Sequence, residues 1–266
     1  GWQDPDAQIG NLVINKSAGN FIIGTVSTYA PKIAGSLDIM GGNSFYTQDY
    51  DMMVGGYTDI LATGGLYLYF PTEATGPTTA KSQDIMAGPV EEGSKGGTVE
   101  ITGDLNVSGT LDIADGTVLH HGLFGEAPSG VINITTGSFI NDHPYGTEAW
   151  QLIEGTLNLT DGLFEISGNS ISLESTFTGN ISGGIIRTGF SFRANGPGIF
   201  QPTGGSVEFT YPSGNPFITL QSGNYFHDFI FNPNTLIILY SDIHVMNDLE
   251  INSGVLDSDT YDIYVG

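Results

Sequence analysis

The chain writes one pattern twice. NLVINKSAGNFII at 11–23, followed by GSLDIMGGNSFYTQDYDMMVGG at 35–56, matches DFIFNPNTLII at 228–238 followed by NDLEINSGVLDSDTYDIYVG at 247–266. With a single one-residue gap, Leu37, Ile39, Gly42, Tyr50, Asp51, Val54 and Gly55 fall on Leu249, Ile251, Gly254, Tyr261, Asp262, Val265 and Gly266. A chain that restarts its own pattern is expected to be a repeat protein, because stacked repeats bury their faces only against neighbours. Since the second copy stops mid-pattern, residues 1–266 are expected to be one segment of a longer array.

The middle of the chain carries a shorter beat. GGTVEITGDLNVSGTLDIADGT, GVINITTGSF, GTLNLTDGLFEISGN and NISGGIIRTGFSF each set a short alternating apolar run beside Asn and Gly. Asn106, Asn133, Asn158 and Asn180 recur along these runs, followed by Gly109, Gly137, Gly162 and Gly183. Alternation of period two predicts strands at Val99–Ile101, Leu105–Val107, Leu111–Ile113, Ile132–Ile134 and Leu157–Leu159, with Gly or Asn at the corners between them. Several three-to-five-residue strands per repeat of roughly 20–27 residues predict an all-β, parallel β-helix (solenoid) with little or no helix. Its hand is expected to be right, as parallel crossovers are. A sandwich would want more of the hairpin dipeptides, of which Asp115-Gly116, Asp161-Gly162 and Asn195-Gly196 are present. Two stretches break the beat, 71–97 and 141–152, and are read as insertions on one face of a single solenoid unit, where binding surfaces tend to sit.

Composition narrows the function classes. The formal net charge is -23, from 29 acidic and 6 basic side chains, and the basic ones (Lys16, Lys32, Lys81, Lys95, Arg187, Arg193) are scattered. Nucleic acid is therefore excluded as an expected partner, because phosphate affinity is built from clustered Lys and Arg, and anionic membrane surfaces are disfavoured for the same reason. Without cysteine there is no disulfide, thiolate nucleophile or Cys-based zinc site. No run approaches 18 uncharged apolar residues, so no membrane insertion is expected. The opening GWQDPDAQIG lacks the basic and apolar regions of a signal peptide, so any export signal is expected outside these residues.

Residues 202–266, and more loosely 11–56, carry a form F-x-x-L/I-x-I-N, a Val/Leu/Ile-rich strand, then D-L-x-I-x-x-G-x-L with Y-x-I/L-x-V-G. In this the chain resembles the coils of secreted parallel β-helix proteins of the Bacteroidota, commonly exported by the type IX system. The resemblance implies export, an extracellular or cell-surface location in a bacterium, and membership in a large adhesin-like or stalk polypeptide whose partners are its own neighbouring coils. It transfers no catalytic residue, because the matched positions are core aliphatics and corner glycines.

Candidate sites each carry two readings. Asp257, Asp259 and Asp262 have the close oxygen spacing that calcium favours, and Asp49 and Asp51 form a weaker version, but the EF-hand and nonapeptide calcium patterns are absent; solvated corner residues are the plainer reading. A glycosidase would need a carboxylate pair across a groove, available among Asp142, Glu148, Glu154 and Glu165, with Asp142 and Glu148 the pair of choice. Arg187 and Arg193 lie six apart and would share a strand face, as a lyase charge-stabilising pair or as partners satisfying charge between coils. His120 and His121 must face opposite sides of a strand and so cannot share a metal; His143 is a further acid/base candidate, while His227 and His244 are read as surface strand residues. Trp150, Tyr145 and His143 form the candidate glycan-binding set, Trp150 and Tyr145 with Tyr67, Tyr69 and Phe70 in GLYLYF making a possible sugar-stacking platform against the alternative of simple packing. The sequons at Asn15, Asn106, Asn133, Asn158 and Asn180 are acceptors in a eukaryotic secretory path or, in a bacterial solenoid, corner asparagines. In-register rows of Thr or Asp, which ice or mineral binding would need, are not visible. No Ser-His-Asp order, phosphate loop or dinucleotide fingerprint is present, and no cofactor other than a possible calcium ion is indicated. The leading expectation is thus a non-catalytic structural or adhesive segment, with a carbohydrate-binding or carbohydrate-cleaving β-helix as the alternative.

Overall fold

The computed structural model describes residues 9–15, 19–22, 32–40, 43–46, 52–55, 58–60, 65–68, 98–101, 104–143, 150–210, 216–232 and 236–266. Among these every regular element is a strand and every pairing is parallel. Apart from a separate two-stranded sheet of Ile243–Val245 and Ile263–Val265 that follows wall 1 at one end, the strands lie on three walls wound in the order 1, 2, 3. Wall 1 is an eleven-stranded sheet from Leu12–Ile14 to Val255–Asp257. Walls 2 and 3 are joined into one sheet by the long strand Thr178–Thr188, which pairs with Thr156–Leu159 on wall 2 and with Leu163–Ile166 on wall 3. The result is a parallel β-helix.

The predicted strand cores at residues 99–101, 105–107, 111–113, 132–134 and 157–159 all fall within strands. Alternation decides which side chains enter. Thr-Val-Glu-Ile, Thr-Leu-Asp-Ile and Thr-Leu-Asn-Leu send their second and fourth residues inward, where Val99, Ile101, Leu111, Ile113, Leu157 and Leu159 are almost wholly buried. Each inward residue stacks on its equivalent one coil away. Phe139 lies on Phe164 with ring centroids 5.3 Å apart and planes 13° from parallel, while Phe124 on wall 1 reaches Phe139 at 4.8 Å across the interior. Farther along, Phe192, Phe200, Phe226 and Phe229 continue the aromatic filling.

The corner between walls 2 and 3 is a column of glycines, and the reason is close backbone approach. A Cβ on Gly162 would sit 2.4 Å from the carbonyl oxygen of Gly137, and one on Gly184 would sit 2.6 Å from that of Gly162. Gly184 also adopts φ +72°, the left-handed region that L side chains avoid.

Four expectations are revised. The two copies of the repeated pattern do not occupy the same walls: Leu37–Ile39 pairs within wall 1 and Val54 within wall 3, whereas Leu249–Ile251 pairs with Phe229–Phe231 on wall 3 and Val265 pairs with Val245 in the sheet that follows wall 1. Every wall imposes the same apolar-polar-apolar rule followed by a corner, so segments on different walls converge on one pattern. Asn106, Asn133, Asn158 and Asn180 are not corners; they sit mid-strand and face outward. The inward corner asparagines are instead Asn169 and Asn224, the latter donating to the carbonyls of Gly196 and Gln221 and accepting from the Phe200 amide. The second insertion is shorter than 141–152, because Asn141 closes one strand and Trp150 opens the next; residues 144–149 lie outside the described residues, as does all of 71–97. Finally, Leu249 is only partly buried and Ile251 is 49% exposed, unlike Leu37, Ile39, Leu105 and Val107, because their strand is paired on one side only.

Candidate functional site

The outward polar side chains of neighbouring coils are largely engaged with one another. On wall 2 the Asn158 amide donates to Asn133 Oδ1 at 2.6 Å and the Asn180 amide to Asn158 Oδ1 at 2.7 Å, an asparagine ladder along the axis. Asp112 occupies the next position, in register with Asn133, and burial pushes its carboxyl up to about 6. The register also aligns Thr110, Val131, Thr156 and Thr178 beside this ladder, a short row interrupted by valine that the linear sequence hides. On wall 1 the Asn106 amide reaches Asp59 one coil back.

Arg187 and Arg193, expected on one face, lie on different walls. Arg187 on wall 3 is clamped between Glu165 and Glu208, at 2.8 Å to each. Although burial alone would lower its pKa, the hydrogen bonds and charges of Glu208 and Glu165 hold it above the ordinary arginine value. Replacing Arg187 by Gln should therefore lower stability near pH 7 by on the order of 2–3 kcal/mol, because two partly buried carboxylates lose their counter-charge. Thermal melts of both proteins at pH 7 measure the deficit.

Arg193 on wall 1 belongs to a different assembly. Its guanidinium lies over the Trp150 ring, 4.1 Å from the centroid. Its Nε donates to Ser172 Oγ at 2.6 Å, and Ser172 in turn donates to Glu174, which also accepts from Asn195 at 2.9 Å. Trp150 and Phe217 are three rungs apart on one outward column, with Ser170 and Ser191 between them. At about 4.8 Å per rung their backbones stand roughly 14 Å apart, yet their ring centroids are 5.6 Å apart, so the rings lean toward each other over the two buried serines. Tyr240 extends the cluster, 5.1 Å from Phe217 and 52% exposed, and Leu152, 43% exposed, lies in the same strand as Trp150. Trp150 and Arg193 were each legible as candidates from sequence, but not as partners, and Phe217 and Tyr240 were not candidates, because only the register unites residues so far apart.

The other candidates scatter. Tyr145, Glu148, Tyr69, Phe70, Asp49 and Asp51 lie outside the described residues, and of Tyr67 only the backbone is described, on wall 2 beside Asp112. His120 is fully buried, its Nδ1 2.7 Å from the Asn141 amide, whereas His121 faces outward, as strand alternation requires. Asp142 is 2.5 Å from His121 Nδ1, and Glu100 is 3.2 Å from Nε2. Burial lowers the His121 pKa, but the hydrogen bonds and charges of Asp142 and Glu100 outweigh it and raise the net value. His143 places Nδ1 2.9 Å from the His121 carbonyl oxygen. Glu165 is engaged by Arg187, and Glu154 lies half-buried just after the strand that carries Trp150. His227 sits at a bend, paired with Asp228, and His244 stacks on Tyr264 at 4.5 Å. Asp257 and Asp262 are exposed: Asp257 closes its wall 1 strand and accepts from the Asp259 amide, Asp259 holds φ 49° in the following turn, and Asp262 accepts from the Tyr264 hydroxyl. Among the described residues no group of three or more His, Asp or Glu is disposed to hold a metal ion.

The most deeply buried acid with a raised pKa, Glu126, escaped the sequence reading altogether. Glu126 occupies an inward position, in register between Val107 and Ile153, and is 2% exposed. Burial pushes its pKa up to about 8, partly offset by the nearby Gly155 and Thr156 amides. Neither amide is aligned for a full hydrogen bond to its oxygens, and the Thr156 amide donates instead to Gly130.

The chain matches no protein-family model, no curated protein and no solved structure.

Proposed function

We propose that the chain is a non-catalytic structural and adhesive segment of a large exported bacterial cell-surface protein. The observation that carries this reading is how the side chains are engaged. The interior is filled by aliphatic and aromatic stacks, and outward polar groups such as Asn133, Asn158, Asn180, Glu165, Arg187 and Glu208 satisfy their equivalents on adjacent coils. A column built this way resists deformation along its length, because each coil is held to the next by backbone ladders, core stacks and side-chain ladders together. Two of the four carboxylates that would serve hydrolysis are drawn into this scheme as well: Asp142 is bound to His121 and Glu165 to Arg187. An extracellular location is supported by the resemblance of 11–56 and 202–266 to exported coils.

Two measurements test the reading. Incubation with neutral and acidic polysaccharides should release no new reducing ends; release that Asp142→Asn abolishes would contradict the non-catalytic part. Antibody to the chain should label intact source cells, and labelling only after permeabilisation would contradict the exported part.

A further inference from the structure

We propose that the outer face of wall 1 around Trp150, Arg193, Phe217 and Tyr240 is a binding site for an extended neutral saccharide lying along the solenoid axis. The proposal rests on the adhesive half of the reading above and gives it a location and a ligand class. Three observations carry it. The first is a continuous aromatic strip: Trp150 meets Phe217 at 5.6 Å and Phe217 meets Tyr240 at 5.1 Å, with Tyr240 and Leu152 about half exposed. An exposed apolar strip rimmed by polar groups marks a binding surface more often than it marks accident, and aromatic rings accept the C–H faces of sugars.

The second is the rim. Arg193, Glu174 and Asn195 are tied together through Ser172, and the guanidinium and carboxylate remain 31% and 25% exposed. Groups held in this way lose little freedom on binding, and they offer donors and an acceptor at fixed positions for sugar hydroxyls.

The third is charge. Arg193 is matched by Glu174 at 3.4 Å, so the patch itself is neutral within a chain of net charge -23. A polyanion or a second copy of this chain would be repelled on approach, whereas an uncharged polyol is indifferent to that field. The strip also crosses rungs rather than following one, since Trp150, Phe217 and Tyr240 belong to three different strands or their ends, which orients an elongated ligand along the axis.

The test uses the full chain with Trp2→Phe, leaving Trp150 as its one indole. Cellohexaose, xylohexaose and mannohexaose are titrated while Trp150 emission is followed, and isothermal calorimetry reads binding independently of fluorescence. At least one neutral hexasaccharide should bind saturably, and Tyr240→Ala, an exposed change expected to leave melting unaltered, should weaken that binding about tenfold or more. Absence of binding by all three, binding that survives Tyr240→Ala and Leu152→Ala together, or binding of a galacturonic acid hexamer alone would overturn the proposal. Any of these would leave the structural reading in place, because surface labelling and the absence of polysaccharide cleavage are read separately.

Discussion

Phe164→Ala should destabilise the protein by about 3–5 kcal/mol, the range for emptying a fully buried phenylalanine site. Phe164 is 0% exposed, stacked on Phe139 and 6.1 Å from Phe124, so the cavity would open inside an aromatic stack of the core. Backbone ladders on both sides prevent the coils from collapsing into it. At about 2–4 °C per kcal/mol for a chain of this size, the melting temperature should fall by roughly 6–20 °C. Leu163→Ala, one residue away on the outward face, should cost about 1 kcal/mol or less. Because each coil touches only its neighbours, the lost amide-exchange protection should centre on the coils flanking Phe164. Equal losses from the two substitutions would mean that the strand does not alternate as described.

The second large effect concerns Glu126. Its folded pKa near 8, against an ordinary 4.5, means that the folded protein holds this proton more tightly than the unfolded chain does. The group is tolerated fully below about pH 4.5; as pH rises from there toward 8, the unfolded chain ionises first and stability is lost. Glu126→Gln keeps the shape and removes the titration. The two proteins should be similar at pH 4, and the variant should become the more stable one as pH rises, by on the order of 3–5 kcal/mol at pH 8. Denaturant titrations at pH 4, 6 and 8 measure the gap, and a gap that does not change with pH would show that the carboxyl is hydrated in the folded protein.

These two residues also mark what a linear sequence can disclose. Phe164 sits in LFEI, where alternation between a turn and a glycine-bearing corner announces an inward aromatic, and the same rule located the strands at Val99, Leu105, Leu111, Ile132 and Leu157. Glu126 sits in FGEAPSG, where a carboxylate is ordinarily a surface group; only the pairing of its strand with Leu105–Val107 and Trp150–Ile153 turns it inward. Register is the missing quantity. It converts Asn133, Asn158 and Asn180 from corner residues into a ladder, sends Arg187 and Arg193 to different walls, and brings Trp150 to Phe217 over two serines. Register was hidden because coil lengths vary: Asn106 bonds a residue 47 positions back, while most neighbouring coils are offset by 19 to 28 residues. The repeated pattern was a sound guide to the fold and a poor guide to phase, since all walls read alike.

The central claim, that residues one coil apart stack in parallel register, is tested most directly by cross-linking. The natural chain has no cysteine, so engineered pairs are unambiguous. Asn133→Cys with Asn158→Cys places two thiols on adjacent rungs of wall 2, about 4.8 Å apart along the axis, within the roughly 4.4–6.8 Å Cα separation that a disulfide spans. Asn133→Cys with Asn180→Cys places them two rungs apart, about 9.6 Å and beyond reach. Mild oxidation followed by mass spectrometry should find the intramolecular disulfide in the first pair and free thiols in the second. Cross-linking of the second pair in preference to the first, or of neither, would contradict the stacked solenoid.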